Sequence, residues 1–132
     1  MQAVKGKGTR LERSLFGILA AMGLTGWRKN APDVIGKPDA AFHRKRVAIF
    51  VDGCFWHGCR RCNRKPPETN RQYWRRKIKR NVERAQAING RLAKSGWTVV
   101  RVWEHEMREQ GDRNTFKMRL LQILKSTRRI RK

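Results

Sequence analysis

The stretch Arg46-Val47-Ala48-Ile49-Phe50-Val51-Asp52-Gly53-Cys54-Phe55-Trp56-His57-Gly58-Cys59-Arg60-Arg61-Cys62 organises the rest of the chain. From Val47 to Val51 it is continuously apolar, the pattern of a strand covered on both faces rather than one with a wet side. It then changes character at once. An acid ends the strand, and a loop follows that holds all three cysteines, a histidine and the aromatic pair Phe55-Trp56. Just upstream, Asp39 to His43 and the turn Arg44-Lys45 complete a β-hairpin.

Reading outward, Thr9 and Glu12 have capping-box spacing. Leu11, Leu15, Ile18, Leu19 and Met22 share one helical face, and Gly23 ends the run. Residues 24–38 are punctuated by Gly26, Pro32, Gly36 and Pro38, with Val34-Ile35 expected as a short strand. Beyond the cysteine loop, Pro66-Pro67 precedes a second helix, with capping-box spacing at Thr69 and Gln72. It runs to Ser95-Gly96 and carries Trp74, Ile78, Val82, Ala85, Ile88 and Leu92 on one face. Trp97 to Trp103 reads as a strand ending at Glu104-His105-Glu106, and a last helix spans 112–125. The order implies a single α/β domain over 9–125, a central sheet flanked by helices, with a flexible N-terminus (1–8) and a basic tail (126–132).

Composition narrows the function. Thirty-three Lys and Arg against ten Asp and Glu give a formal charge of +23 over 132 residues. A body so cationic repels itself unless a polyanion is near, and a phosphate backbone neutralises many cations together. No long apolar run or basic amphipathic segment points to a membrane. The polar N-terminus has no apolar signal-peptide core, so clustered cysteines read as metal ligands in a reducing, cytoplasmic setting, with nucleoid association through DNA.

Cys54, Cys59 and Cys62 supply three thiolates for a structural zinc, and either His57 or His105 could complete the tetrahedron. Asp39 and Asp52 sit at ends of neighbouring strands, where two hard oxygen ligands suit Mg²⁺. His57 lies a few residues away, with an imidazole able to take a proton from water at neutral pH. Carboxylates at strand ends are often mere turn formers, and Glu12 reads equally as a helix cap or as a group at a metal-bound water. The rings of Phe55 and Trp56, in a glycine-flanked loop, suit stacking on bases, while Trp74 is either core or a further ring at that surface. Trp27, Trp97 and Trp103 look like core or its margin.

These residues resemble the very-short-patch repair (Vsr-type) DNA mismatch endonucleases of the PD-(D/E)xK nuclease class. The resemblance rests on Gly36-Lys37-Pro38-Asp39, Val47 to His57, Tyr73 to Ile78, Asn81 to Arg84 and Gly96 to Glu104, and covers roughly Thr9 to Glu106. Gly-Cys-Phe-Trp-His is its least common element. It implies a restriction-endonuclease-like core with a structural zinc site. It makes Asp39, with the backbone carbonyl of Val51, the Mg²⁺ ligand, while Asp52, outside the family pattern, is a further candidate ligand. His57 becomes the residue that activates water, and Glu12 the residue that orients it. Phe55, Trp56 and Trp74 would intercalate beside the mismatch, and Arg75, Lys77 and Asn81 would contact DNA. Cys54, Cys59, Cys62 and His105 would ligate zinc, leaving His57 for catalysis.

The chain departs from the best-known members in three places. Asp52 stands where they have a second catalytic histidine, Cys62 requires a one-residue adjustment of the loop, and the N-terminus is shorter. The expected function is Mg²⁺-dependent nicking of one strand of double-stranded DNA at a mismatch, most plausibly T:G. The enzyme is expected as a monomer that works alongside mismatch-repair proteins. A homing or defence endonuclease on the same scaffold and a non-catalytic zinc-containing DNA-binding module are the alternatives.

Overall fold

The computed structural model describes residues 2–54 and 69–126, with side chains from Arg10 onward. Phe55, Trp56, His57, Cys59, Cys62 and the tail 127–132 therefore lie outside the described residues. Eight elements follow in order: α1 (Gln2–Ala21), β1 (Arg28–Lys29), β2 (Ala40–Phe42), β3 (Val47–Asp52), α2 (Arg71–Lys94), β4 (Thr98–Trp103), α3 (Glu104–Arg108) and α4 (Gln110–Ser126). The strands form one mixed sheet in the order β1-β2-β3-β4. The β1–β2 and β2–β3 pairs are antiparallel, and β4 runs parallel to β3 from Val47 opposite Thr98 to Asp52 opposite Trp103. This is the α/β architecture with a helix-flanked mixed sheet that the sequence implies.

The apolar run of β3 is covered on both sides. Val47, Ile49 and Val51 pack with Leu15, Ile18 and Leu19 of α1 and with Phe116, Leu120 and Leu124 of α4. Ala48 and Phe50 point the other way, towards Leu92 and Ile88 of α2 and Val34 of the preceding loop. Strand alternation thus feeds two cores from one segment. Each fully buried Leu or Ile contributes about 2 kcal/mol. At the hairpin turn, Lys45 donates to the Leu124 carbonyl (2.7 Å) and Arg46 to that of Ser95 (3.2 Å). Cations there satisfy the last carbonyls of α4 and α2.

Several boundaries differ from expectation. The α1 helix starts at Gln2 rather than Thr9, so residues 2–8 are helical and Glu12 lies inside the helix, not at its cap. Asn70, in the left-handed region, caps α2 without a side-chain bond, so the Thr69–Gln72 capping box does not form. Val34-Ile35 lies in turns rather than a strand, with Val34 buried under α2. The short α3 replaces the expected strand end: Glu106 accepts from the Trp103 N–H at 2.7 Å and turns the chain into a helix. Among the described residues, no helix is long and apolar enough to cross a membrane.

Candidate active site

The loop leading to β2 is fixed from both sides. Gly36 has φ +80°, and a Cβ there would meet Ile88 Cγ2 at 2.6 Å and Phe50 Cζ at 3.3 Å. Only glycine permits both the conformation and this approach to α2. Pro38 is fully buried, and the Asp39 carbonyl accepts from the Asn30 N–H at 2.9 Å. The Asp39 side chain is thereby aimed across the hairpin, where its Oδ2 accepts the Val51 N–H at 2.7 Å.

Glu12 reaches the same carboxyl from α1 and hydrogen-bonds it. Two carboxyls sharing a hydrogen bond need one proton between them. The Asp39 pKa is pushed up from 3.8 to about 7, first through burial, then through the Glu12 hydrogen bond and the charges of Glu12 and Asp52, against the lowering effect of the Val51 N–H. When both groups ionise they repel, and a hard divalent cation relieves that repulsion as a proton does. The oxygen donors of Asp39 and Glu12 therefore fit Mg²⁺.

Asp52 continues the α2-facing side of β3. It is 5% exposed, and its Oδ1 accepts from Arg101 Nη1 at 2.8 Å. Arg101 lies on the matching face of β4. Its Nε donates to Asn89 Oδ1 (2.8 Å), its Nη2 to the Ala85 carbonyl (3.4 Å), and its guanidinium lies 4.3 Å from the Phe50 ring centre. Sequence reasoning missed Arg101 and Asn89. The available signal was the lone cation in the apolar run Thr98-Val99-Val100-Arg101-Val102-Trp103.

Of the expected zinc ligands, the described residues include Cys54 and His105, brought together from positions 51 apart in sequence. The Cys54 Sγ lies 3.3 Å from His105 Nδ1, and both residues are buried. Zinc–sulfur and zinc–nitrogen bond lengths set a tetrahedral S···N edge of roughly 3.6 Å, so the pair fits one edge of such a site. Glu104 Oε1 accepts the Cys54 N–H at 3.3 Å, and Trp103 stacks on His105 with centroids 6.5 Å apart. Among the described residues, no group of three or more His, Cys, Asp or Glu is positioned to hold a metal.

On α2, Trp74 is half-buried and meets Tyr73 edge-on at 5.2 Å. Arg75 is exposed, while Lys77 and Asn81 are half-buried. Arg71, Arg76, Lys79, Arg80 and Arg84 are also exposed, so much of the helix's outer face is cationic. Trp27 and Trp97 lie at the edges of the two cores.

The chain is similar to known DNA endonucleases. The family model described as "DNA mismatch endonuclease Vsr" matches residues 1–64. The type II nicking enzyme V.NmeDIP of Neisseria meningitidis serogroup C is 44% identical over 108 residues, covering 81% of this chain and 72% of that protein. The type II nicking enzyme V.NaeI of Lentzea aerocolonigenes is 44% identical over 111 residues, covering 80% and 66%. The DNA mismatch endonuclease Vsr of Escherichia coli is 36% identical over 108 residues, covering 82% and 69%.

Proposed function

The chain belongs to the Vsr family of DNA mismatch endonucleases and is thereby a hydrolase of DNA phosphodiester bonds; from that premise we propose that it nicks one strand of duplex DNA at a T:G mismatch, with Mg²⁺. Asp39 and the Val51 carbonyl would hold the ion, which when bound supplies charge neutralisation at the scissile phosphate. Glu12 orients the attacking water, and His57 takes its proton, leaving a 5′-phosphate and a 3′-hydroxyl. Asp52 adds its charge beside Asp39 while held by Arg101. Phe55, Trp56 and Trp74 wedge into the stack, which opens at lower cost where bases are mispaired. Cys54, Cys59, Cys62 and His105 would hold a structural zinc, which when bound would brace the loop carrying His57. The enzyme acts as a monomer in the cytoplasm, with mismatch-repair proteins as its functional neighbours.

The observation that carries this reading is the Asp39–Glu12 carboxyl pair, beside Asp52, in a chain of charge +23. Two adjacent acids in so basic a protein support a reading in which they grip a cation against a phosphate. Relatives named type II nicking enzymes favour a second reading, nicking at a defined sequence. One assay separates the two: nicking of T:G, matched and methylated duplexes of varied sequence, with Mg²⁺ or with EDTA. Selective nicking of T:G with Mg²⁺ is expected, with Asp39→Asn reducing the rate at least about 10³-fold. Cleavage that survives in EDTA or in Asp39→Asn removes the assigned metal site. A non-catalytic zinc module predicts DNA binding with no nicking at all.

A further inference from the structure

The guanidinium of Arg101 is held by three elements at once. It bonds Asp52 at the end of β3, and Asn89 and Ala85 in the middle of α2, while its own backbone belongs to β4. Its face lies on Phe50, one turn of the pleat behind Asp52, and its carbonyl accepts from Arg119 of α4 at 2.9 Å. An arginine in a mostly buried position would be costly without partners, yet here hydrogen bonds engage all three guanidinium nitrogens. A hydrophobic residue would fill this site with less desolvation. What it would not do is tie the helix carrying Trp74, Arg75, Lys77 and Asn81 to the strand end carrying Val51 and Asp52.

We propose that Arg101 is a positioning residue for the nicking reaction: through Asp52, Asn89 and Ala85 it sets the strand end that faces Asp39 relative to the helix α2 that grips DNA. The inference rests on the endonuclease reading above. Helix α2 supplies a cationic surface for the backbone, while β3 supplies the Val51 amide that aims Asp39. Between the two elements Arg101 makes fixed, directional bonds, in contrast to the slippable apolar contacts of Ile88 and Leu92. Seating of DNA on α2 is thereby registered against the carboxyl cluster. A displacement of about 1 Å at such a junction lowers turnover by about 10²-fold without a lost ligand.

The test uses the full chain with Arg101→Gln, Arg101→Lys, Asn89→Ala and Asp52→Asn. Duplex affinity is measured in EDTA, thermal unfolding in the same buffer, and single-turnover nicking with Mg²⁺. Arg101→Gln should lower the nicking rate about 10²-fold while the EDTA affinity for DNA stays within about threefold. Asn89→Ala, which leaves every charge in place, should show the same split at about tenfold, and Arg101→Lys should recover part of the rate. Combining Arg101→Gln with Asp52→Asn should cost less than the product of the single effects. The inference is overturned if nicking, DNA affinity and melting temperature fall together, or if Asn89→Ala nicks like the parent. Absence of nicking by the parent chain would instead remove the endonuclease reading, so the two failures are distinguishable. If Arg101→Gln does not fold, Asn89→Ala and Arg101→Lys still decide the matter.

Discussion

Asp39 binds a proton more tightly when folded than when unfolded, its pKa rising from 3.8 to about 7. Its contribution to stability is therefore complete below about pH 4 and is lost as pH rises through 7. In EDTA, urea unfolding should show stability falling by roughly 3 kcal/mol between pH 5 and pH 8, the two-unit part of that shift. Asp39→Asn should flatten this slope and be more stable than the parent at pH 8. An unchanged slope would remove the proton from Asp39. Asp39 itself was legible in the sequence as a strand-end acid. Its partner was less so, because the Thr9–Glu12 spacing imitates a helix cap. The helix extends past Thr9, which frees Glu12 from any terminal amide and turns it towards Asp39.

At the scale of elements, periodicity located α1, β3, α2, β4 and α4, since each buries a long apolar pattern. What periodicity missed are segments shaped by single contacts. The β1 strand is two exposed basic residues paired to Ala40 and Ala41 and has no apolar signature. Val34-Ile35 has β-branched side chains, yet turns flanked by Pro32 and Gly36 bury Val34 without a ladder; β-propensity reports packing more than backbone. The α3 helix hinges on Glu106 reaching the Trp103 amide, a three-residue spacing hidden behind a strand. That helix presents His105 to Cys54, and a prediction belongs to it. His105→Ala should lower bound zinc, measured by elemental analysis, and reduce the melting temperature by on the order of 10 °C. His57→Ala should leave zinc in place. The opposite pattern would exchange the two histidines.

For the whole molecule, the charge of +23 is the dominant long-range property. If about seven phosphates are neutralised on binding, the logarithm of duplex affinity should fall with the logarithm of salt at a slope near −6. Arg75→Ala should make that slope shallower by about one and weaken matched and T:G duplexes alike, as titrations at several salt concentrations would reveal. A loss confined to the mismatched duplex would mean that Arg75 reads bases rather than backbone. Charge was legible from composition alone. Its disposition on α2 was legible too, because Arg75, Arg76, Lys79, Arg80 and Arg84 fall off the apolar helical face and are exposed.

The parallel pairing of β3 with β4 has a consequence for how the enzyme comes into being. Asp52 and Arg101 are 49 positions apart, and the second of them arrives only after all of α2 has been synthesised. Until then β3 is paired on one side only, with β2, and the acid at its tip lacks the Arg101 guanidinium. A growing polypeptide on the ribosome thus holds Asp39 and the cysteine loop well before it holds the strand that completes the sheet. The topology makes completion of the sheet, and burial of Asp52 against Arg101, one of the last steps of chain synthesis.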